Sequence, residues 1–327
     1  MLVPSKASTK SNKSIHYLGR VGETLNQMKL FRQGKVKDVY EVDAHTLEFV
    51  FTDKISVFDK IIPSTIPHKG ETLCRSSAFW FQMLRNMGIK SHFTEFIPPN
   101  RMRVKRVAII PDYSKITKKT TNYLIPLEVI SRHYVAGSLF DRVKDGSITA
   151  KELGFPKGKT IKYGDELPEP MIEMTTKLEK YDRPVTKKEA MSIAALSRHE
   201  YNEIIETVLR IDESIAEEVD KRDLIHVDGK KEFAFDEERM LMVVDTFGTT
   251  DEDRWWDWSD MSKGNFTELS KEYVRQHYRE IGYYDELRKA RAEGKPEPAI
   301  PALPEDKIKA VSKLYIDMFE RITGESY

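Results

Sequence analysis

An α+β protein in two lobes is the fold class the sequence predicts, and three observations predict it. Short strand-like runs crowd the first third, strands recur near the middle, and helical periodicity takes over towards the end. At 327 residues the chain is long enough for one large or two moderate domains, and it buries its core without covalent staples.

The elements follow in order. Residues 1–28 read as a polar arm, 29–125 as a β-rich lobe, and 126–327 as an α+β lobe with C-terminal helices. Strand character begins at Leu30. Val36–Val42 and Thr46–Thr52, β-branched and aromatic, form a hairpin about Asp43-Ala44. Thr72–Met87 is amphipathic and stops before Gly88, which predicts a helix. Strands follow near His92–Phe96 and Met102–Ile110, then a polar, lysine-rich surface excursion over Pro111–Asn122.

In the second region Ile125–Tyr134 reads as a strand, Ala136-Gly137-Ser138 as a turn, and Gly154–Pro184 as a long loop-rich passage. Ile193, Leu196, Ile204, Ile205, Val208, Leu209 and Ile211 line one face of a helix predicted from Lys187 to about Val219. Thr186 and Glu189 supply a capping box at its start. Strands are expected at Leu224–Val227, Glu232–Phe235 and Met240–Asp245. Helices are expected around Ser270–Ile281 and Glu305–Thr323, joined by the proline-rich Gly294–Pro304.

Composition excludes several classes. Lys+Arg and Asp+Glu balance at 53 each, so the chain lacks the overall basic excess of a nucleic-acid binder. The bases of Arg101–Arg106 alternate with apolar residues, as in a strand with one solvated face. No run reaches the roughly 18 apolar residues of a membrane span. The N-terminus lacks the apolar segment of a secretory signal. Cys74 is a single cysteine and makes no internal disulfide, so a reducing, cytoplasmic location is expected.

Five strings carry chemistry. Gly34-Lys35-Val36-Lys37-Asp38 joins a glycine, where backbone amides approach phosphate closely, to lysines that neutralise it. Alone, such a string is more often a solvated turn. Thr52–Asp59 with Pro67–Gly70 places two aspartates and a serine where a substrate, or only a set of Asx turns, fits. Arg132 before the Gly137-Ser138 turn suits a phosphate clamp, or equally a strand leaving into a helix capped by Ser138. Asp228, Lys230 and Glu232 alternate and share one strand face. Asp245 ends the apolar run Leu241–Val244 and is placed to complete a carboxylate cluster for Mg²⁺. Thr249–Trp256 sets acids and an arginine beside an aromatic pair, a polar-substrate site or an acidic loop on a buried tryptophan.

The order of these strings decides between the readings. GKVKDVYE, TDKISVFD, SSAFWF, PLEVISRHYVAGS, EPMIEMTTKLEKYDRP, HVDGKKEFAFD, VVDTFGTTDEDRWW and KEYVRQHYRE follow one another between Leu30 and Arg279. In that order they resemble the phosphoribosylaminoimidazole-succinocarboxamide synthase (SAICAR synthetase) family. The resemblance implies a SAICAR-synthase-like fold, with a β-rich N-terminal lobe like that of protein kinases and a C-terminal lobe related to ATP-grasp enzymes. It also implies an ATP- and Mg²⁺-dependent ligase joining L-aspartate to carboxyaminoimidazole ribonucleotide (CAIR) in purine biosynthesis. Self-association as a dimer is a further implication.

Residue by residue, the resemblance assigns Gly34, Lys35 and Lys37, with Glu128 and Asp228, to the nucleotide. It assigns Glu232 and Asp245 to the metal, and Arg132, Ser138 and Arg254 to the CAIR phosphate. Asp59 and Lys177 fall at substrate positions, and Lys230, Asp228 and Asp251 at catalytic ones. The chain departs from the family pattern at Thr246, where a glutamate is usual, at Glu252-Asp253, where serines are usual, at Gly229, where a bulky residue is usual, and at Gln276-His277. Two rivals stay open on sequence alone: a small-molecule kinase with the same nucleotide lobe, and a non-catalytic nucleotide-binding descendant.

Overall fold

A computed structural model describes residues 28–327, so the polar arm lies, Met28 apart, outside the described residues. The first lobe is a five-stranded antiparallel sheet in the order β1-β2-β3-β7-β6. Its strands are β1 (Lys29–Gln33), β2 (Lys37–Glu41), β3 (Thr46–Phe51), β6 (Phe93–Ile97) and β7 (Arg101–Lys105). The expected hairpin is β2–β3, with Lys37 opposite Phe51 and Glu41 opposite Leu47. A small hairpin, β4 (Lys54–Val57) with β5 (Lys60–Thr65), leads into helix α1 (Lys69–Asn86). Leu73, Trp80, Phe81 and Leu84 recur at helical spacing and are buried against the sheet, burying about 1.5–3 kcal/mol worth of apolar surface each.

The second lobe is a six-stranded antiparallel sheet ordered β10-β9-β8-β11-β12, with β13 also paired to β11. It comprises β8 (Tyr123–Tyr134), β9 (Glu166–Thr176), β10 (Pro184–Val185), β11 (Leu224–Phe235), β12 (Leu241–Val244) and β13 (Arg254–Asp257). β8 begins at Tyr123, inside the stretch assigned to the first lobe. The lobes are stitched together where His92 N–H donates to the Val243 carbonyl and Val243 N–H to that of Lys90.

Helices α2 (Gly137–Lys144), α3 (Lys187–Ile193), α4 (Arg198–Asp220), α5 (Trp258–Met261), α6 (Glu272–Glu280), α7 (Tyr283–Ala292) and α8 (Glu305–Thr323) complete the chain. α4 packs on β11 and β8, and α8 packs on α1 and α4. The main buried apolar cluster draws on both lobes, from Leu47 to Ile322, so the lobes share a core, with smaller clusters such as Val135, Leu139, Leu153 and Leu167 beside it.

Several elements differ from expectation. The helix expected from Lys187 is two: Ala195 takes a positive φ of 47°, and Ser197 with Glu200 forms a capping box that starts α4 afresh. Gly154–Pro184 contains the 11-residue strand β9, and Leu224–Phe235 is one unbroken strand. Strand β13 and helix α7 were also unforeseen, while α2 follows β8 as one of the two readings of the Gly137-Ser138 turn allowed. Ser138 does not cap α2: the N-cap residue is Ala136, and Ser138 instead accepts a bond from Arg132.

Candidate functional site

Strand β11 organises the site because it is paired on both sides. β8 lies along one side, while β13 covers the N-terminal half of the other and β12 the C-terminal half. Asp228 is therefore flanked by Arg132 and Arg254, its cross-strand partners. Four residues on, Glu232 is flanked by Glu128 and Val244, and Asp245 follows Val244 directly. The two ends lie about 13 Å apart by strand rise. Lys230 sits between them on the same face, as the alternation predicts.

The basic end is tightly paired. Asp228 Oδ2 accepts from Arg254 Nε at 3.2 Å and lies 3.7 Å from Arg132 Nη1. Arg132 also donates to Glu173 at 2.8 Å and to the Ser138 hydroxyl at 3.1 Å, and Arg254 to Glu268 at 2.8 Å. Arg142 grips Glu173 with both terminal nitrogens. Burial works against the Arg254 charge, but Asp228, Glu268 and Glu272 raise its pKa above the ordinary value.

The acidic end carries lysines from three segments. Lys230 donates to Glu232 at 2.8 Å and to Glu128 at 3.0 Å, and Lys177 reaches Glu232 at 2.5 Å. Burial alone would raise the Glu232 carboxyl, yet Lys230 and Lys177 hold it down to about 2. Burial pushes Glu128 up. From the other lobe Lys37 reaches Asp245. Burial lowers the Lys37 ammonium to about 8 despite Glu252 and Glu232 nearby.

Lys37 is aimed there by the turn before it. Gly34 N–H donates to the Lys37 carbonyl at 3.0 Å, and a Cβ at Gly34 would stand 2.3 Å from that oxygen, so only glycine closes the turn. Lys35 points elsewhere, to Asp59 at 2.7 Å on the exposed rim. Between the lobes lies a cavity of about 300 Å³. Val36, Val104, Val107 and Leu124 give it an apolar wall, and Lys37, Lys177, Glu232, Asp245 and Glu252 a charged one. An apolar pocket closing on converging charges suits a base with phosphates attached.

Glu232 Oε2 is buried without a hydrogen-bond partner, on a side chain only 1% exposed. Such an oxygen, in a carboxylate lining the cavity, fits a hard divalent cation. Asp245, directly after Val244, the cross-strand partner of Glu232, is the other residue assigned to the metal from the sequence.

Asp251 sits differently from the other candidates. Its oxygens accept from Lys69 at 2.9 Å, Lys271 at 3.3 Å and Tyr315 at 2.6 Å, pinning its loop to α1 and α8. Burial opposes the charge, but Lys271 and Lys69 keep its pKa low.

The back of β11 carries a second charged cluster. Lys231, wholly buried, pairs with Asp212 of α4, and Asp253 Oδ2 lies 2.7 Å from His226 Nε2 and 3.8 Å from Lys231. His133, Asp212 and His226 come close enough to hold a metal ion, but the Lys231 ammonium already occupies Asp212. A Cβ at Gly229 would meet Asp253 Oδ2 at 2.1 Å, so two departures from the family pattern are one packing solution.

Sequence reasoning missed Glu173 and Glu268, which partner Arg132 and Arg254, and Arg142, which shares Glu173 with Arg132. Glu173 lies on the unforeseen β9, where the short run Met171-Ile172-Glu173-Met174 is apolar apart from Glu173 itself.

Comparison with known proteins bears on the whole chain. Residues 30–290 match the SAICAR synthetase family. The phosphoribosylaminoimidazole-succinocarboxamide synthase of Thermoplasma volcanium is 54% identical over 92% of this chain and 100% of its own length. Its counterpart from Thermoplasma acidophilum is 52% identical with the same coverage. A solved SAICAR synthetase (type 2) in complex with ADP superposes with a TM-score of 0.64 at 25% identity, over 90% of this chain and 98% of that one. The SAICAR synthase of Saccharomyces cerevisiae complexed with SAICAR gives 0.68 at 24% identity over 99% of both chains, and so agrees in fold.

Proposed function

The chain belongs to the SAICAR synthetase family, and on that premise we propose that its interlobe cleft activates a ribotide carboxylate with ATP. The chain is a ligase: it joins CAIR to L-aspartate in purine biosynthesis, at the expense of ATP. Gly34 and Lys37 hold the nucleotide phosphates, with the base against Val36, Val104 and Leu124. Arg132, Ser138 and Arg254 hold the CAIR phosphate, exchanging contacts with Glu173, Asp228 and Glu268 for contacts with the ligand. Glu232 and Asp245 hold Mg²⁺, which when bound neutralises the polyphosphate.

The chemistry needs no side-chain nucleophile. A carboxylate is a poor acyl donor because oxide is a poor leaving group. Its oxygen attacks the terminal phosphorus of ATP, the bond to the bridging oxygen breaks, and ADP leaves. The aspartate amine then attacks the acyl carbon, the acyl–oxygen bond breaks, inorganic phosphate departs, and the nitrogen gives up a proton. Lys37, Lys177 and Lys230 offset the charge on the transferring group, and the two ends of β11 set the distance between reactants.

The observation that carries this reading is Glu232: a buried carboxylate with an unpartnered oxygen, facing three lysines beside a base-sized apolar pocket. An ADP-release assay with ATP, Mg²⁺, CAIR and L-aspartate, omitting each in turn, tests it. Turnover requiring all four, with the succinocarboxamide as product, is expected. ADP release without aspartate would favour a kinase, and nucleotide binding without turnover the non-catalytic descendant.

A further inference from the structure

We propose that Tyr315 of α8 is a positioning residue for the ligase reaction, acting through Asp251, an inference that rests on the assignment of Asp251 to that reaction. The Asp251 carboxylate is divided between two kinds of partner. Its Oδ2 accepts from Lys69 at 2.9 Å and from Lys271 at 3.3 Å, while its Oδ1 accepts from the Tyr315 hydroxyl at 2.6 Å. Among the described residues, that hydroxyl is the only hydrogen-bond partner of Oδ1. Tyr315 is wholly buried, and its ring lies 5.6 Å from the Lys69 ammonium. Phenylalanine would fill the same space and keep that contact. What tyrosine adds is one charge-assisted bond to a buried carboxylate.

Three elements distant in sequence meet on this side chain. Lys69 opens α1 in the first lobe, Lys271 stands just before α6, and Tyr315 lies in the middle of α8. Helix α8 lies beyond residues 30–290, the stretch that matches the family, yet its hydroxyl reaches a residue that lines the cleft. One turn earlier, Ser312 donates to the Pro67 carbonyl at 2.8 Å, two residues before Lys69. The same face of α8 therefore holds both the entry to α1 and a loop of the other lobe.

What Asp251 fixes is the loop between β12 and β13. Lys271 N–H donates to the Thr250 carbonyl at 2.9 Å, and Asp251 N–H to the Thr249 hydroxyl at 3.3 Å. The next residue, Glu252, meets Lys230 at 3.3 Å, and Arg254 meets Asp228 at 3.2 Å. Without the hydroxyl, Oδ1 is a buried acceptor with no partner, and the carboxylate turns to find one. That movement passes to Glu252 and Arg254, and so to Lys230 and Asp228, where small displacements cost rate. Both Asp251 oxygens are engaged, and although burial opposes the charge, Lys271 and Lys69 keep the carboxyl ionised. Asp251 thus serves as an anchor rather than as a proton acceptor.

Steady-state kinetics of Tyr315→Phe, at a temperature well below its thermal transition, test this. Tyr278→Phe is the control, because it deletes the hydroxyl of another buried tyrosine, bonded to the Pro301 carbonyl at 2.7 Å and not among the residues lining the cleft. The expected result is a fall in kcat of about tenfold or more in Tyr315→Phe, with KM for ATP within about twofold, and no change beyond about twofold in Tyr278→Phe. A lowered thermal transition with kcat unchanged would make Tyr315 merely structural and overturn the inference. Because Tyr315 acts through Asp251, the losses of Tyr315→Phe and Asp251→Asn should not multiply: the double variant is expected within about twofold of Asp251→Asn alone. Losses that multiply would mean that Tyr315 acts by another route, and would overturn it too. Asp251→Asn with unchanged kcat would show instead that the assignment of Asp251 to the reaction has failed.

Discussion

The front and back faces of β11 carry nearly the same chemistry and do opposite things with it. In front, Asp228, Lys230 and Glu232 look into the cleft; behind, Lys231 meets Asp212, and Asp253 meets His226. The back cluster is packed between β11, α4 and the loop before β13, with Gly229 leaving room for the Asp253 carboxylate. The front leaves Glu232 Oε2 without a partner and opens onto a cavity. Residue type alone therefore does not mark a functional charge. His226 Nδ1 behind the strand also lacks a partner, so what marks a functional charge is an incomplete set of partners on the wall of the cavity, where Glu232 stands and His226 does not.

That contrast can be broken most forcefully from behind. Asp253→Ala strips a partner from buried His226 and Lys231 and is expected to cost about 3–5 kcal/mol in chemical denaturation. A loss below about 1 kcal/mol, the range of exposed pairs, would mean that the back cluster pins nothing. From the front, Glu232→Gln is expected to lower kcat by about 10²–10³-fold while the chain stays folded by circular dichroism.

A smaller effect sharpens the packing half of the comparison. Gly229→Ala pushes a methyl group into Asp253 and is expected to destabilise by about 1–3 kcal/mol. Paired with Asp253→Ser, it should cost less than the sum of the two single changes, since the clashing atom is gone.

The smallest effect is a pH profile. Burial lowers Lys37 to about 8, so the free protein keeps this ammonium below that pH and loses it above. Phosphate selects the charged form, so ADP affinity should be level up to about pH 8 and fall by about tenfold between pH 7 and pH 9. Lys37→Arg keeps its charge and should flatten the profile in calorimetric titrations.

How much of this was legible in the sequence depends on how local the signal is. The Gly34–Lys37 turn, the 228/230/232 alternation and the acid closing an apolar strand are local, and the structure puts all three where their spacing implied. β9 was hidden because Pro168 and Pro170 interrupt its N-terminal half, and prolines demote a run from strand. The break before α4 was hidden because Leu196 and Ile204 continue the apolar phase across it; only Ser197 and Glu200 betray a second start. The back cluster could not be read at all. Asp212, the pair His226 and Lys231 on β11, and Asp253 come from three separate stretches, and no periodicity links them. Glu252 and Asp253 stand side by side where serines are usual in the family, yet Glu252 faces Lys230 and Asp253 is buried behind the sheet.

The central claim is that the two faces of one strand divide chemistry from stability, and turnover per folded molecule tests it most directly. Glu232→Gln in front and Asp253→Asn behind would be assayed side by side, well below both thermal transitions. The account predicts a loss of about 10²-fold or more for the first, and less than about tenfold for the second, whose partner Lys231 keeps Asp212. Equal losses in two fully folded proteins would contradict it.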